Sequence, residues 1–240
     1  MTKGIFIIGT DTGVGKTAFA AGLMYRLLRS GCRAGYYKPV ASGEIEMGNQ
    51  SVPNDATFVK IVSGYGEEDK TITPFSFKAA LSPHFASRLE EKRIDPNLIK
   101  MRLMDLKQKY DCLIVEGCGG LAVPLNDDGW MLYDLIRYLG LGCFLVARSG
   151  LGTINHTLMT LHMATDLGIM IKGIFMNGYS GSAIERDNIE TLKKITGHPS
   201  IFPVPAISGL DVEHLEMGNL KAVFDRSLDL ENIVNLMENF

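Results

Sequence analysis

An apolar run followed by a glycine-rich turn that ends in Gly-Lys-Thr leaves few folds open to a chain. Here Gly4-Ile5-Phe6-Ile7-Ile8 leads into Gly9-Thr10-Asp11-Thr12-Gly13-Val14-Gly15-Lys16-Thr17. The helical pattern Ala18-Phe19-Ala20-Ala21-Gly22-Leu23-Met24-Tyr25-Arg26-Leu27-Leu28 follows directly. Strand, loop and helix in that order are the setting of a phosphate-binding loop. The loop's backbone N–H groups and the positive end of the helix converge on phosphate oxygens. Lys16 adds a full charge at the β- and γ-phosphates, and Thr17 offers a hydroxyl to Mg²⁺. The spacing departs from the usual G-x-x-x-x-G-K-[ST], because Thr10 stands where glycine is wanted, Gly9 lies one residue earlier and Gly13 is extra.

Apolar, β-rich runs alternate with helical patterns along all 240 residues, without an internal repeat or a Pro/Ser-rich linker. The pattern predicts strands at 3–8, 33–38, 111–116, 142–147, 171–177 and 200–204. It predicts helices near 16–30, 54–63, 82–92, 96–109, 131–139, 153–167 and 182–196, with a further amphipathic helix over 228–239. Asp95-Pro96 is a start signal, with Asp at the cap and Pro at the first helical position. The first, third and fourth strands are nearly all apolar, as strands buried on both faces of a parallel sheet must be. The expected fold is α/β: a doubly wound, mainly parallel sheet flanked by helices, of P-loop NTPase type, with 1–240 as one domain. Ligands of such sheets bind beyond the carboxyl ends of the strands.

The formal net charge of −3 argues against a polyanion as main partner, so no nucleic acid is expected. No run of about 18 apolar residues exists, and no membrane span is expected. The N-terminus lacks the basic, apolar and cleavage segments of a signal peptide. Cys32, Cys112, Cys118 and Cys143 show no metal-ligand spacing, and three fall beside or within predicted strands. Reduced thiols in a cytoplasmic protein are the expectation.

Polar residues gather at the strand ends. Lys38 ends the second strand before Pro39, where it would bring a second positive charge to the phosphate loop; a surface lysine is the alternative. Asp55 opens a helix and is either a first-turn acid favouring the helix dipole or a carboxylate for Mg²⁺. Cys112-Leu113-Ile114-Val115-Glu116 is a buried strand ending in an acid, the Walker-B arrangement with Glu for the usual Asp. Gly117-Cys118-Gly119-Gly120 then lets backbone pass close to a ligand. Ser149-Gly150-Leu151-Gly152-Thr153-Ile154-Asn155-His156 opens another helix, whose N–H donors suit a carboxylate unless Thr153 is simply an N-cap. Met176-Asn177-Gly178 ends the next strand, and Asn177 either presents its amide to an adenine edge or makes a common turn pair with Gly178. Pro203-Val204-Pro205-Ala206 reads as a rigid loop after the last strand.

Taken together and in this order, the phosphate loop, Lys38-Pro39-Val40-Ala41-Ser42-Gly43, Asn54-Asp55, Val115-Glu116-Gly117-Cys118-Gly119-Gly120 and Gly152-Thr153-Ile154-Asn155-His156 closely resemble the dethiobiotin synthetase family over almost the whole chain. The resemblance accounts for the displaced glycine, since that family's loop has the longer spacing. It implies an ATP-dependent ligase that carboxylates 7,8-diaminononanoate with CO₂ and closes a cyclic urea, with Mg²⁺ and ATP required. It implies catalytic roles for Lys16 and Lys38 and a nucleotide site of Gly13, Val14, Gly15, Lys16, Thr17, Ala18, Asp55, Glu116, Gly117, Cys118, Gly119, Met176, Asn177, Pro205, Ala206 and Ile207. Thr17, Asp55 and Glu116 would hold the metal. Thr12, Lys38, Ser42, Gly150, Leu151, Thr153 and Asn155 would contact substrate, the last four through a carboxylate site across a homodimer interface. Cys118 stands where the family commonly has alanine, and Arg148 and Ser149 fall in a variable stretch.

Three other readings compete. A partitioning-type ATPase shares the Gly-Val-Gly-Lys-Thr core, but carries a lysine early in the loop where this chain has Asp11. A glutamine-dependent amidotransferase would need a Cys–His pair, normally in an added domain. A regulatory protein could keep a nucleotide site without turnover, against which the Lys16, Thr17, Asp55 and Glu116 set argues.

Overall fold

The computed structural model of the chain describes residues 2–240. Its elements run β1 (Lys3–Gly9), α1 (Lys16–Arg29), β2 (Ala34–Tyr37), β3 (Val40–Ser42), β4 (Glu44–Met47), β5 (Gln50–Pro53), α2 (Asn54–Ser63), α3 (Asp69–Ile72), β6 (Phe75–Phe77), α4 (Pro83–Leu89), α5 (Pro96–Lys109) and β7 (Cys112–Gly120). They continue with α6 (Leu132–Leu139), β8 (Cys143–Arg148), α7 (Thr153–Asp166), β9 (Ile171–Tyr179), α8 (Ala183–Thr196), β10 (Ile201–Pro205), β11 (Leu210–Asp211), β12 (Glu216–Met217), α9 (Leu220–Ser227), α10 (Leu230–Leu236) and β13 (Glu238–Asn239). Among the described residues no helix is long and apolar enough to cross a membrane.

The main sheet has the order β10-β9-β8-β1-β7-β2, all parallel, with β13 added antiparallel to β1. Because β1 is central, helices must cover both its faces. Its side chains therefore divide with period two: Phe6 and Ile8 join one core, Ile5 and Ile7 the other. The Phe6 face packs against α5, α6, α7 and α8, through residues such as Ile99, Leu135, Ala164 and Leu192. The Ile5 face packs against α1, α2, α9 and α10, through Phe19, Phe58, Phe224 and Ile233. A cluster of rings fills this second layer, with the Phe19 and Phe175 centroids 4.2 Å apart and those of Phe175 and Phe202 5.3 Å apart. Each fully buried ring contributes about 1.5–3 kcal/mol of transfer free energy.

The six expected sheet strands are present, and Asp95 caps α5 by accepting from Asn97 N. Several expectations need correction. The predicted strand 111–116 runs on to Gly120, so Glu116 lies inside a strand rather than at its end. The helix expected over 82–92 covers only Pro83–Leu89. The helix expected over 228–239 stops at Leu236, and Glu238–Asn239 turns into β13. The cause is a vacancy in the sheet. β8 pairs with β1 only from Phe6 onward, leaving Lys3 and Gly4 without a partner on that side until the chain end supplies one. The short pairs β3–β6, β4–β5 and β11–β12 and helices α3 and α9 were not expected from the sequence.

Helix α9 docks on α1 at Gly22, where an added Cβ would lie 2.4 Å from the Phe224 ring. That ring is 1% exposed and has nowhere to retreat. Gly22→Ala is accordingly expected to destabilise the protein by about 1–3 kcal/mol, despite alanine's better helix propensity. A lower urea midpoint with an unchanged slope would show it; a midpoint equal to or above wild type would refute the packing argument.

Candidate active site

The carboxyl ends of β1, β7 and β2 bring one cluster of charges together, as the parallel topology requires. The loop after β1 turns through Gly15, in the left-handed region at φ 97°, and hands over to α1 at Lys16. Only glycine fits there, since a Cβ would lie 1.9 Å from Asn177 Nδ2. That nitrogen donates to the Val14 carbonyl at 2.9 Å, so β9 holds the loop from the side. Asn177 is thus a loop anchor, with its Oδ1 left over as an acceptor. Asn177 and Gly178 do not form the expected turn pair: both lie within β9, which runs on to Tyr179, and the positive φ of 73° at Gly178 falls where the pairing with β10 skips a residue.

Lys16 is 7% exposed and folds back so that Nζ donates to the Asp11 carbonyl at 3.0 Å. Burial, reinforced by the positive charge of Lys38, brings its pKa down to about 8; Glu116, Cys118 and Asp55 oppose this only in part. Thr17 places its hydroxyl 2.7 Å from Glu116 Oε1 and 3.1 Å from Asp55 Oδ1. One proton serves one acceptor at a time, and Glu116 is the nearer.

Lys38 follows β2 and is 2% exposed, which removes the surface-lysine alternative. Its Nζ donates to Glu116 Oε1 at 2.7 Å and to the Gly117 carbonyl at 3.3 Å, and lies 2.6 Å from Asp55 Oδ2. Burial would lower this amine, but the two carboxylates overcome it and hold its pKa above the ordinary value. Asp55, in the first turn of α2, is held below the usual carboxylate range: burial would raise it, and the Lys38 charge and hydrogen bond prevail. Glu116 has no exposed surface, and its second oxygen accepts from Tyr36 OH at 2.8 Å. The sequence reading passed over Tyr36. Its signal was a hydroxyl-bearing ring in a short buried strand, where a phenol must find a partner.

Among the described residues there is no cluster of three or more His, Cys, Asp or Glu able to hold a metal. The Thr17, Asp55 and Glu116 oxygens are the hard, partial donor set that Mg²⁺ uses with phosphate and water, and the two carboxylates already hold a cation, the Lys38 ammonium. These residues therefore fit Mg²⁺. Burial pushes the Cys118 thiol up, the reverse of an activated nucleophile.

The remaining candidates surround this centre. Thr12 and Gly13 are exposed at the crown of the loop, Val14 is buried and Ala18 lies inside α1. Gly117, Cys118 and Gly119 continue β7 past Glu116. Ser42 ends β3 half-buried. Met176 is in the core; Pro205 closes β10, Ala206 N bonds to the Tyr179 carbonyl and Ile207 is half-buried. Gly150, Leu151 and Asn155 flank the start of α7, with Leu151 89% exposed. Thr153 is not the N-cap: Gly152 is, and Thr153 Oγ1 is buried 3.4 Å from Thr157 Oγ1.

A family profile described as "AAA domain" matches residues 3–214. The ATP-dependent dethiobiotin synthetase BioD of Clostridium kluyveri is 40% identical over 99% of both chains. The protein of the same name from Caldicellulosiruptor saccharolyticus is 39% identical over the same shares. Among solved structures, the cell division ATPase MinD of Pyrococcus furiosus superposes with a TM-score of 0.60 at 17% identity, covering 98% of this chain and 97% of its own. The ParA family ATPase of Chlorobium tepidum gives 0.59 at 13%, covering 98% of each. At such identity these last two share the fold alone.

The depressed Lys16 pKa sets a pH dependence. A phosphate bound at Lys16 would favour the charged ammonium, so above about pH 8 the free protein would take up a proton on binding nucleotide there. ATP affinity is expected to be level below that pH and to weaken above it by up to about tenfold per unit. Calorimetry in buffers of different ionisation heat should detect the uptake; constant affinity to about pH 9, without proton exchange, would count against it.

Proposed function

The chain belongs to the dethiobiotin synthetase family, and we propose that its reaction takes place where Lys16 and Lys38 meet the Thr17, Asp55 and Glu116 oxygens. The protein is an ATP-dependent ligase of biotin biosynthesis. It joins CO₂ to 7,8-diaminononanoate and closes the ring to dethiobiotin, with ATP as co-substrate and Mg²⁺ as the metal. One amine gives a carbamate, which attacks the γ-phosphoryl group. The second amine then displaces phosphate from the resulting carbamic–phosphoric anhydride.

A carbamate is already anionic, so phosphoryl transfer needs no strong base. The obstacle is repulsion between two anions. In our reading the loop amides from Gly13 to Ala18 bind the triphosphate, and Lys16 leaves the Asp11 carbonyl for the phosphate oxygens. Lys38 offers its charge to the carbamate, which replaces the carboxylates as its partner. Thr17, Asp55 and Glu116 would hold Mg²⁺, which would supply further positive charge against the triphosphate. Gly117, Cys118 and Gly119 allow close backbone approach to the nucleotide. Asn177 Oδ1, with Pro205, Ala206 and Ile207, faces the adenine, while the Met176 side chain stays in the core beneath and offers the base no surface. Thr12 and Ser42 contact the diamine.

We assign the substrate carboxylate to Gly150, Leu151, Thr153 and Asn155 of a second copy in a homodimer, with 1–240 acting as one domain. The exposed Leu151 and Met159 favour this, since they give the start of α7 an apolar surface for a partner to cover. The observation that carries the whole reading is a pair of buried lysines acting on the same carboxylates, Lys38 by direct contact and Lys16 through space.

Phosphate release from MgATP is expected to require both diamine and bicarbonate and to yield a cyclic urea by mass spectrometry. Lys38→Ala is expected to lower kcat/KM by about 10²–10³, the range for losing one preorganised charge contact. ATP turnover indifferent to the diamine would overturn the activity, and near-normal turnover by the variant would overturn the role of Lys38.

A further inference from the structure

The last residue of β8, Arg148, is an exposed cation at the phosphate loop that the proposed reaction leaves without a task. Its neighbour in the sheet is Asn177, in register across β8 and β9. Both reach the same loop: Asn177 holds the Val14 carbonyl, and Arg148 Nη2 donates to the Thr12 carbonyl at 3.4 Å. A Cβ on Gly13 would stand 3.6 Å from the guanidinium, so the group lies directly over the loop's crown. Among the described residues no carboxylate comes within ion-pair reach of it. One long bond to a neutral carbonyl is a weak hold on a charged fork built for two oxygens.

The turn behind Arg148 is braced. Ser149 N bonds to the Asn177 carbonyl at 3.0 Å, and its hydroxyl donates to Glu185 Oε1 at 3.1 Å. Asn188 Nδ2 donates to the Ser149 and Gly150 carbonyls at 2.9 and 3.1 Å. Glu185 also accepts from Ser180 and Ser182 through its other oxygen. A long side chain thus springs from a fixed base beside the loop, which limits the conformational freedom lost when it engages an anion.

We propose that Arg148 is a third catalytic cation, which exchanges the Thr12 carbonyl for oxygens of the terminal phosphoryl group of the bound nucleotide. The inference rests on the nucleotide site placed above. Lys16 and Lys38 are buried, whereas Arg148 is exposed beside Gly13 of the loop. A planar donor pair there suits the charge that spreads over the equatorial oxygens during transfer.

The test compares nucleotides on the full-length protein, using Arg148→Ala and Arg148→Lys. Calorimetric affinity for a non-hydrolysable ATP analogue is expected to fall about 10- to 100-fold in Arg148→Ala, with ADP affinity unchanged. Arg148→Lys should restore part of the loss, and kcat should fall with little change in the diamine KM. Equal loss for ADP and the analogue would mean that the residue only shapes the loop, and would overturn the proposal. No loss for either, or a rise confined to the diamine KM, would overturn it in favour of a spectator or a substrate contact. Wild-type protein that binds neither nucleotide would reject the underlying site instead.

Discussion

The Glu116 carboxylate has no contact with solvent, and three side chains from two parts of the chain must arrive correctly to satisfy it. Thr17 comes from the start of α1, Lys38 from the end of β2 and Tyr36 from within β2. Removing a carboxylate from water costs several kcal/mol unless its oxygens are fully partnered. The same partners that satisfy it also fix the distance between the phosphate loop and the second lysine. Register between β1 and β7 is therefore a functional quantity: Ile7 lies opposite Glu116, and the pairing then shifts before Gly9 meets Gly120. That irregularity lets β7 carry its glycines alongside the loop, while Glu116 stays buried behind Thr17.

Two lysines in one site are driven in opposite directions. Both lose hydration, which disfavours the charged form. Lys16 meets chiefly a carbonyl and another cation, and its pKa falls; Lys38 meets two carboxylates at short range, and its pKa rises. The free protein thus keeps one firmly charged amine and one close to losing its proton. A triphosphate would reverse the balance at Lys16 by supplying the anion that the loop lacks. A divalent cation would weaken the hold on Lys38 by taking up the carboxylates. In that reading each ligand would ready a different lysine, and neither could do so without changing what the other encounters.

The layered fold and the centre of the site were legible because they depend on short, strong patterns. Buried parallel strands must be apolar on both faces, and a phosphate loop must join a strand to a helix, so β1, β7, β8 and α1 could be placed from residues alone. What escaped depends on distant partners. Nothing local marks Glu238–Asn239 as a strand, because its reason is the two unpaired residues at the start of β1. The hairpin is different: Glu44-Ile45-Glu46-Met47 does alternate polar and apolar residues before the two-residue turn Gly48-Asn49, a local signal that the reading of the sequence passed over, although Gln50–Pro53 opposite it does not alternate. Polar contacts escaped, like β13, because their partners are distant. That Asn177 grips Val14, or that Asn188 holds Ser149 and Gly150, follows from sheet order and cannot be read from either segment.

The residues expected to bind nucleotide already have partners within the chain: Lys16 has the Asp11 carbonyl, Lys38 the two carboxylates, and Asn177 the Val14 carbonyl. Ligand binding is then an exchange of contacts rather than a simple gain, and its net free energy is smaller than a sum over new hydrogen bonds would suggest. The exchange has a compensating value for catalysis. Contacts made before binding hold each donor near its working position, so less reorganisation remains for the moment when charge moves on the phosphoryl group. A buried polar cluster that is closed without its ligand also avoids the cost of unpaired charges in the free protein. The site can therefore be both stable before it binds and strongly polar afterwards, with Lys16 giving up one carbonyl and Lys38 its two carboxylates while Asn177 keeps its hold on Val14.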